Sequence, residues 1–209
     1  IKDESYFKYS LPSIETSYLL ANYVYLDNKE RWEFIHKELE YLIPLIDHIP
    51  ERKFNSANVA YKIDLLNNPT KVIFWRALLS SNYDSNNIFE YTSYPLELTA
   101  NKLINQATLI INSINREDIS DIDYYQKLQI YFNKMSSPQE GINLYSFCLF
   151  PEEYQTSGTF NFNKVDDAYI QFKLNKNINY QNPVYIKGYA IHYNVLRIID
   201  GLGSLVFYN

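Results

Sequence analysis

Glu152 and Glu153 are adjacent carboxylates of the kind that could serve as a catalytic acid and base. Two carboxylates that share a reaction must face the same substrate. Neighbouring residues in an extended chain point in opposite directions, so this pair favours a tight turn or hydrogen bonds within a loop. The polar segment around the pair, residues 151–158, is therefore expected to have a structural role.

The other groups with reactive side chains are scattered along the sequence. His36, His48 and His192 lie far apart and lack the spacing of a metal site. Cys148 stands in an apolar run, where a free cysteine usually packs as a small hydrophobe. Because it is the single cysteine, no disulfide can form within the chain.

Asp118, Asp121 and Asp123 could offer oxygen ligands to a hard cation. They lack the pattern of a calcium-binding loop, and a solvated turn is the expected structure. Gly201 and Gly203 lack the third glycine and the following helix of a dinucleotide loop, so a hairpin turn is predicted there. We therefore expect no catalytic, cofactor-binding or metal-binding residues.

The composition is typical of a globular protein, with 46% hydrophobic and 17% aromatic residues in a chain of 209. The net charge is −5 and no basic cluster occurs, which argues against a nucleic-acid surface. No apolar run reaches the roughly 20 residues of a membrane span. The sequence begins with Ile1, and we expect it to be part of a longer polypeptide.

The first quarter of the chain predicts a strand, a helix and a second strand. Residues 18–26 are rich in Tyr and Leu and predict a strand. Asp27 followed three residues later by Glu30 is typical of a helix start, and a helix is predicted over 28–38. Residues 41–48 predict another strand, with Pro44 at an edge or a bulge because proline cannot donate to a sheet.

After Pro50 the sequence changes to repeated short strands separated by turn residues. The candidate strands are 58–66, 71–79, 106–113, 124–132, 142–150, 166–174, 184–198 and 204–208. Eight strands without a long intervening helix predict an all-β fold, an eight-stranded antiparallel jelly-roll sandwich. The longest predicted loop is residues 80–100, and loops of this length are uncommon in compact domains unless they have a function.

Residues 141–166 resemble a motif of the double jelly-roll major capsid proteins of nucleocytoplasmic large DNA viruses. In that family the loop reads P-E-[DE]-[HY]-Q-P-S-G, followed by N-[FM]-S-R-[IL]-D. The matching residues are Pro151, Glu152, Glu153, Tyr154, Gln155, Ser157, Gly158, Asn161, Phe162 and Asp166. Thr156 replaces the family's proline, and Lys164 stands where the family has an arginine, whose forked hydrogen bonding lysine cannot reproduce.

Two further segments, 23–43 and 189–209, resemble the same family and occur in the family's order. The resemblance implies a division into two domains. Residues 1–50 would be the end of a first jelly roll, consisting of its last two strands, a short helix and a linker, and residues 51–209 would be the second jelly roll. Strands 18–26 and 41–48 would then lack partners in this chain, so residues before Ile1 are expected to complete the first roll.

The resemblance implies a structural, non-enzymatic capsid protein without a cofactor. Homotrimers with a pseudo-hexagonal outline would build an icosahedral shell, located in the virion capsid and assembled in the host cytoplasm. The partners would be neighbouring capsomers and minor capsid proteins. An internal virion membrane would lie nearby without being spanned, and no direct contact with nucleic acid is expected.

The alternative function is a jelly-roll module that binds a carbohydrate or a receptor. Aromatic residues beside polar ones in loops, at 83–84 and 91–94, are the feature that favours it. A jelly-roll metalloenzyme of the cupin type is less favoured, because its set of histidines and a glutamate at metal spacing is missing. The particle mass in solution would discriminate a trimeric building block from a monomeric binding module.

Overall fold

Two antiparallel sheets pack face to face in the computed structural model, which describes residues 14–63, 66–96 and 102–207. The strands are β1 (Leu39–Phe54), β2 (Asn58–Lys62), β3 (Pro69–Leu79), β4 (Ile104–Ile111), β5 (Ile114–Asn115), β6 (Ile142–Ser146), β7 (Phe160–Asn161), β8 (Ala168–Leu174), β9 (Val184–Ile199) and β10 (Leu202–Leu205). The helices are α1 (Asn28–His36), α2 (Ser80–Asp84) and α3 (Gln129–Phe132), with a π-helical turn at Tyr124–Leu128 and a 3₁₀ turn at Phe162–Lys164.

The larger sheet has the strand order β1-β9-β3-β6, with β10 paired to β9 and β7 paired to β3. The smaller sheet has the order β2-β8-β4-β5. Two antiparallel sheets that pack face to face, and in which most neighbouring strands are not consecutive in sequence, form a jelly roll. The predicted fold class is thus confirmed for the second roll.

The core lies between the two sheets. Strands β8 and β9 bury every second residue, which is the alternation expected when one face of a strand packs inward. Trp75 of β3 and Phe172 of β8 meet across the sandwich with their ring centroids 6.1 Å apart. Gly188 on β9 leaves room for Ile49 and Tyr61, because a Cβ there would lie 2.9 Å from the Ile49 side chain.

The strand predicted at residues 124–132 is wrong, since this stretch is helical. Its buried residues include Tyr125, Gln126, Gln129 and Ile130, which follow the three-to-four-residue spacing of a helix face. The aromatic content suggested a strand, but the spacing of the buried side chains decides for a helix.

The expectation that residues 41–48 lack a strand partner in this chain is wrong. These residues lie in β1, which pairs with β9 from Leu39↔Ile198 to Phe54↔Val184. The predicted domain boundary at residue 50 falls inside this strand. Pro44 is on the edge strand of the sheet, as its missing N–H predicts.

The strand predicted at residues 18–26 does not form in this chain, where these residues have no assigned secondary structure. The helix that follows is confirmed as α1, and Asp27 and Glu30 form the predicted capping box. None of the helices in the described ranges is long and apolar enough to cross a membrane. Parts of four predicted elements lie outside those ranges, namely residues 1–13, 64–65, 97–100 and 208.

Candidate functional site

The motif loop, residues 151–158, connects the end of β6 to β7. Beyond β6 the chain stays beside β3, because the Phe147 amide donates to the Lys71 carbonyl oxygen over 2.8 Å. Ser146 Oγ then donates to the carbonyl oxygen of Cys148 over 2.7 Å. These bonds fix the start of the loop against the larger sheet.

A buried lysine anchors the first residue of the motif loop. Lys71 Nζ donates to the carbonyl oxygen of Pro151 over 2.6 Å, and the same ammonium group lies 5.4 Å from the ring centre of Tyr193. Lys71 and Pro151 are both buried. A buried charge needs such partners to offset its desolvation.

Two side chains inside the motif loop hold its backbone and its neighbour in place. Glu152 accepts from the Ser136 amide over 2.7 Å and from Ser136 Oγ over 3.0 Å, so both carboxylate oxygens are engaged. Ser157 Oγ accepts from the Phe150 amide over 2.8 Å, which closes the loop across its base. These bonds satisfy backbone donors that no strand partner would satisfy.

Gly158 ends the loop in a conformation that favours glycine, with φ at +137°. A Cβ at this position would lie 3.1 Å from the Phe147 carbonyl oxygen and 3.4 Å from Cys148 Cα. The backbone of the loop therefore approaches the end of β6 closely.

The tip of the motif loop is exposed. Glu153, Tyr154, Gln155 and Thr156 all point to solvent, and Tyr154 has a relative exposure of 104%. Glu152 and Glu153 are both exposed, and the Glu152 carboxylate is engaged with the backbone amide and the hydroxyl of Ser136.

The second half of the motif continues into the core. Asn161 Oδ1 accepts from the Asn163 amide over 3.0 Å and caps the 3₁₀ turn. Phe162 is 3% exposed and packs edge-on against Phe160 and Phe147. The exposed Asp166 donates its backbone amide to Asn112 Oδ1. Lys164, where the sequence departs from the family pattern, is exposed.

A pocket of about 420 Å³ lies between the motif loop and the helix formed by residues 124–132. Its wall includes Tyr145, whose hydroxyl donates to Glu117 Oε1 over 2.8 Å. Burial, together with this carboxylate, raises the pKa of Tyr145 well above its ordinary value of 10.0. The phenol therefore remains a neutral donor.

The remaining candidates for chemistry are dispersed. Cys148 is buried and lies beside Ser146 Oγ. His192 Nε2 is 3.1 Å from Asp47 Oδ2, whereas His36 stacks on Trp32 in α1. Within the described residues no group of three or more His, Cys, Asp or Glu side chains is arranged to hold a metal ion.

The acidic segment near residue 121 serves local structure. Asp123 forms ion pairs with Lys102 and Lys127 at 2.6 and 3.1 Å, and these lysines lower the pKa of its carboxyl. Asp121 Oδ1 accepts from the Asp123 amide. The expected turn is present at this point.

The sequence did not indicate three of these contacts. Lys71 and Ser136 bind the motif loop, and Asp47 contacts His192 of β9. Lys71 had a weak signal, since it is the one charged residue between Pro69 and Trp75 in an apolar strand. Ser136 and Asp47 had none. Their partners are 16 residues or more away in sequence, and only the fold brings them together.

Comparison with known proteins gives a consistent result. A family profile described as large eukaryotic DNA virus major capsid protein matches residues 30–204. The probable capsid protein 4 of Acanthamoeba polyphaga mimivirus is 32% identical over 199 residues, covering 91% of this chain and 38% of that protein. The major capsid protein of Pyramimonas orientalis virus is 28% identical over 220 residues, covering 94% and 50%. The chain thus spans half or less of the length of these two relatives.

Solved capsid structures have a similar fold. A quasi-atomic structure of the PBCV-1 virus capsid matches with a TM-score of 0.70 and 24% identity, covering 88% of this chain and 55% of that one. The Faustovirus major capsid protein matches with a TM-score of 0.67 and 14% identity, covering 83% and 36%. With the profile match over most of the sequence, the chain belongs to the family of major capsid proteins of large eukaryotic DNA viruses.

Proposed function

We propose that this chain is the C-terminal part of a major capsid protein that builds an icosahedral virus shell, with a structural and non-enzymatic role. The observation that carries the proposal is the family match over residues 30–204. The proposed location is the virion capsid, with assembly in the host cytoplasm. The proposed partners are copies of itself in pseudo-hexagonal homotrimers, neighbouring capsomers and minor capsid proteins, with an internal membrane nearby and no direct contact with nucleic acid.

The exposed segment at residues 18–25 supports the proposal that a first jelly roll precedes this one. Its large apolar side chains are 79–90% exposed; they are Tyr18, Leu19, Leu20, Tyr23, Val24 and Tyr25. A contiguous apolar surface of this kind normally contacts another part of a protein. We propose that residues 18–26 form the last strand of that roll, and that β1 starts the second roll.

The ten family-motif residues of 151–166 are proposed as a structural loop. The hydrogen bonds of Pro151, Glu152 and Ser157 support this role. The exposed tip at residues 153–156 is proposed to face a neighbouring subunit.

The aromatic residues that suggested a glycan-binding module are partly engaged in contacts within the chain. The ring of Tyr83 packs against Tyr185 with centroids 5.4 Å apart, and the ring of Tyr91 lies 5.6 Å from the Arg76 guanidinium carbon. Both rings have a partner within the chain, although Tyr83 is 51% exposed and Tyr94 of the same feature is 50% exposed.

The test is the mass and outline of the full-length polypeptide in solution. Light scattering should give three times the subunit mass, and negative-stain images should show a hexagonal outline. A compact monomer at all concentrations would overturn the proposal. Binding of that monomer to a glycan array would favour the alternative.

A further inference from the structure

The inner face of β6 carries a buried amide among apolar side chains. Asn143 pairs with Trp75 of β3 and lies two residues before Tyr145. Both of these aromatic side chains belong to the core, and Asn143 shares their face of the sheet. Asn143 is 2% exposed. An amide buried this deeply requires hydrogen-bond partners for both its oxygen and its nitrogen.

The nitrogen of this amide has a partner, whereas the oxygen has none among the described residues. Asn143 Nδ2 donates to the Gly141 carbonyl oxygen over 3.1 Å, but Asn143 Oδ1 is buried and accepts no hydrogen bond. The Gly141 carbonyl assigns this orientation, because the rotated amide would place two acceptor oxygens against each other. Asn143 Oδ1 is therefore a buried acceptor that requires a donor.

Asn143 lines a small cavity at this end of the sandwich. The centre of a water molecule can occupy about 20 Å³ of the cavity, and a single water molecule needs roughly 10–15 Å³ by the same measure. Ala77, Ile104 and Ile122 form apolar parts of the wall. The cavity thus has room for one water molecule.

Gln126, in the π-helical turn, contributes a second amide to the wall of the cavity. It lines the cavity and is 9% exposed. The wall also contains Lys102, whose ammonium group is paired with Asp123 at 2.6 Å, and Glu140, which is exposed. A glutamine side chain offers both donors and an acceptor, so one intervening molecule can connect it to Asn143 Oδ1.

We propose that this cavity is a binding site for one structural water molecule, which donates a hydrogen bond to Asn143 Oδ1 and accepts one from the side-chain amide of Gln126. Buried waters typically bind two to four polar groups that would otherwise lack partners. A metal ion is disfavoured, because it needs several oxygen ligands and Lys102 lies in the same wall. The site concerns the fold of a single chain and does not depend on the proposed function.

The water molecule connects β6 to the π-helical turn beside Tyr91, which also lines the cavity. Two further contacts join the loop around Tyr91 to the segment before β6. Gln139 Nε2 donates to the Phe89 carbonyl oxygen over 2.7 Å, and a Cβ at Gly141 would lie only 2.5 Å from Tyr91 Cβ. The water site therefore lies where the long loop after β3 packs against the sandwich.

The direct test is a crystal structure or cryo-EM reconstruction of the full-length protein at a resolution that shows ordered water. We expect one density peak in the cavity, about 2.5–3.2 Å from Asn143 Oδ1 and from an amide atom of Gln126. Absence of this peak, or a protein donor bound directly to Asn143 Oδ1, would rule out the water site. A peak that grows when potassium is exchanged for rubidium would identify a cation instead and would also refute the proposal.

Substitutions test the same site in solution. Asn143→Leu and Gln126→Leu each remove one partner of the water molecule, so each variant should lose one long-lived water, and the double variant should lose no more than one. Oxygen-17 magnetic relaxation dispersion counts long-lived waters, and circular dichroism checks that the variants are folded.

The matched control is Asn194→Leu. Asn194 is similarly buried, at 3% exposed, but both ends of its amide bind the backbone of Phe207. This control should keep the full number of long-lived waters. An unchanged number in folded Asn143→Leu, or an equal loss in the Asn194→Leu control, would contradict the assignment of the water to Asn143.

Discussion

Lys71 is the residue on which the start of the motif loop depends. Its ammonium group replaces a strand partner for the Pro151 carbonyl oxygen. We predict that Lys71→Met lowers the free energy of unfolding by about 1.5–3 kcal/mol, the range for a hydrogen bond to a charged group. Urea denaturation measures the change. Lys173→Met on the exposed side of β8 is the control, and equal stability of the two variants would contradict the prediction.

Gly158 is the second residue whose identity follows from the loop. Gly158→Ala would place a Cβ against the Phe147 carbonyl at a positive φ. We predict a loss of about 1–3 kcal/mol in the free energy of unfolding. Gly203→Ala is a matched control, since its Cβ would meet only the Leu196 side chain at 3.7 Å. Thermal melting curves compare the two, and a Gly158→Ala variant as stable as the control would refute the strain argument.

Residues 18–26 are the element whose structure we expect to differ most between this chain and the full-length protein. They are apolar on both sides and lack a sheet partner in this chain. We predict that hydrogen exchange at these amides is slow in the full-length protein and fast in the 209-residue chain, because ladder hydrogen bonds protect amides. Strand β8 serves as the internal reference and should be protected in both. Fast exchange of 18–26 in both proteins would count against a first jelly roll ending there.

Strand β3 carries apolar side chains on both faces. Trp75 packs into the core, while Phe74 lies on the outer side and packs against the cluster of Val72 and Leu144. Continuous apolar strands are typical of sheets covered on both faces. The helix of residues 124–132 supplies part of the outer cover, since its Ile130 belongs to the same cluster.

At the scale of the whole molecule, the aromatic core sets the response to alkaline pH. Burial raises the pKa of Tyr61, Tyr125 and Tyr145 above 10.0. In the unfolded chain these phenols ionise near pH 10, so the unfolded state binds fewer protons above that pH. Their contribution to stability is therefore complete below about pH 10 and is lost as the pH rises further.

We predict that the free energy of unfolding falls above about pH 10 by up to ~1.4 kcal/mol per pH unit for each such tyrosine. Tyr145→Phe should make this slope shallower, and Tyr154→Phe, which changes a fully exposed residue, should not. Urea denaturation at a series of pH values measures the slopes. Identical slopes for Tyr145→Phe and the unsubstituted protein would contradict the assignment.

Local sequence determined the elements whose signals are local. The alternation in β8 predicted a strand with one buried face, and it forms one. The Asp27–Glu30 pair predicted the start of α1, because a capping box needs only residues three apart. Pro44 predicted an edge position, because proline lacks the N–H that an inner strand would need for its second neighbour. The motif loop was located from its residues, although its anchors were not.

Tertiary structure alone decided which elements belong together. The sequence of residues 41–48 predicts a strand without naming its partner, and only the structure shows that they pair with β9. The stretch 124–132 has residues that suit both strand and helix, and packing against β6 and the core selects the helix. Lys71 and Pro151 are 80 residues apart. Contacts at such separations depend on how the whole chain is connected, which no local pattern of residues encodes.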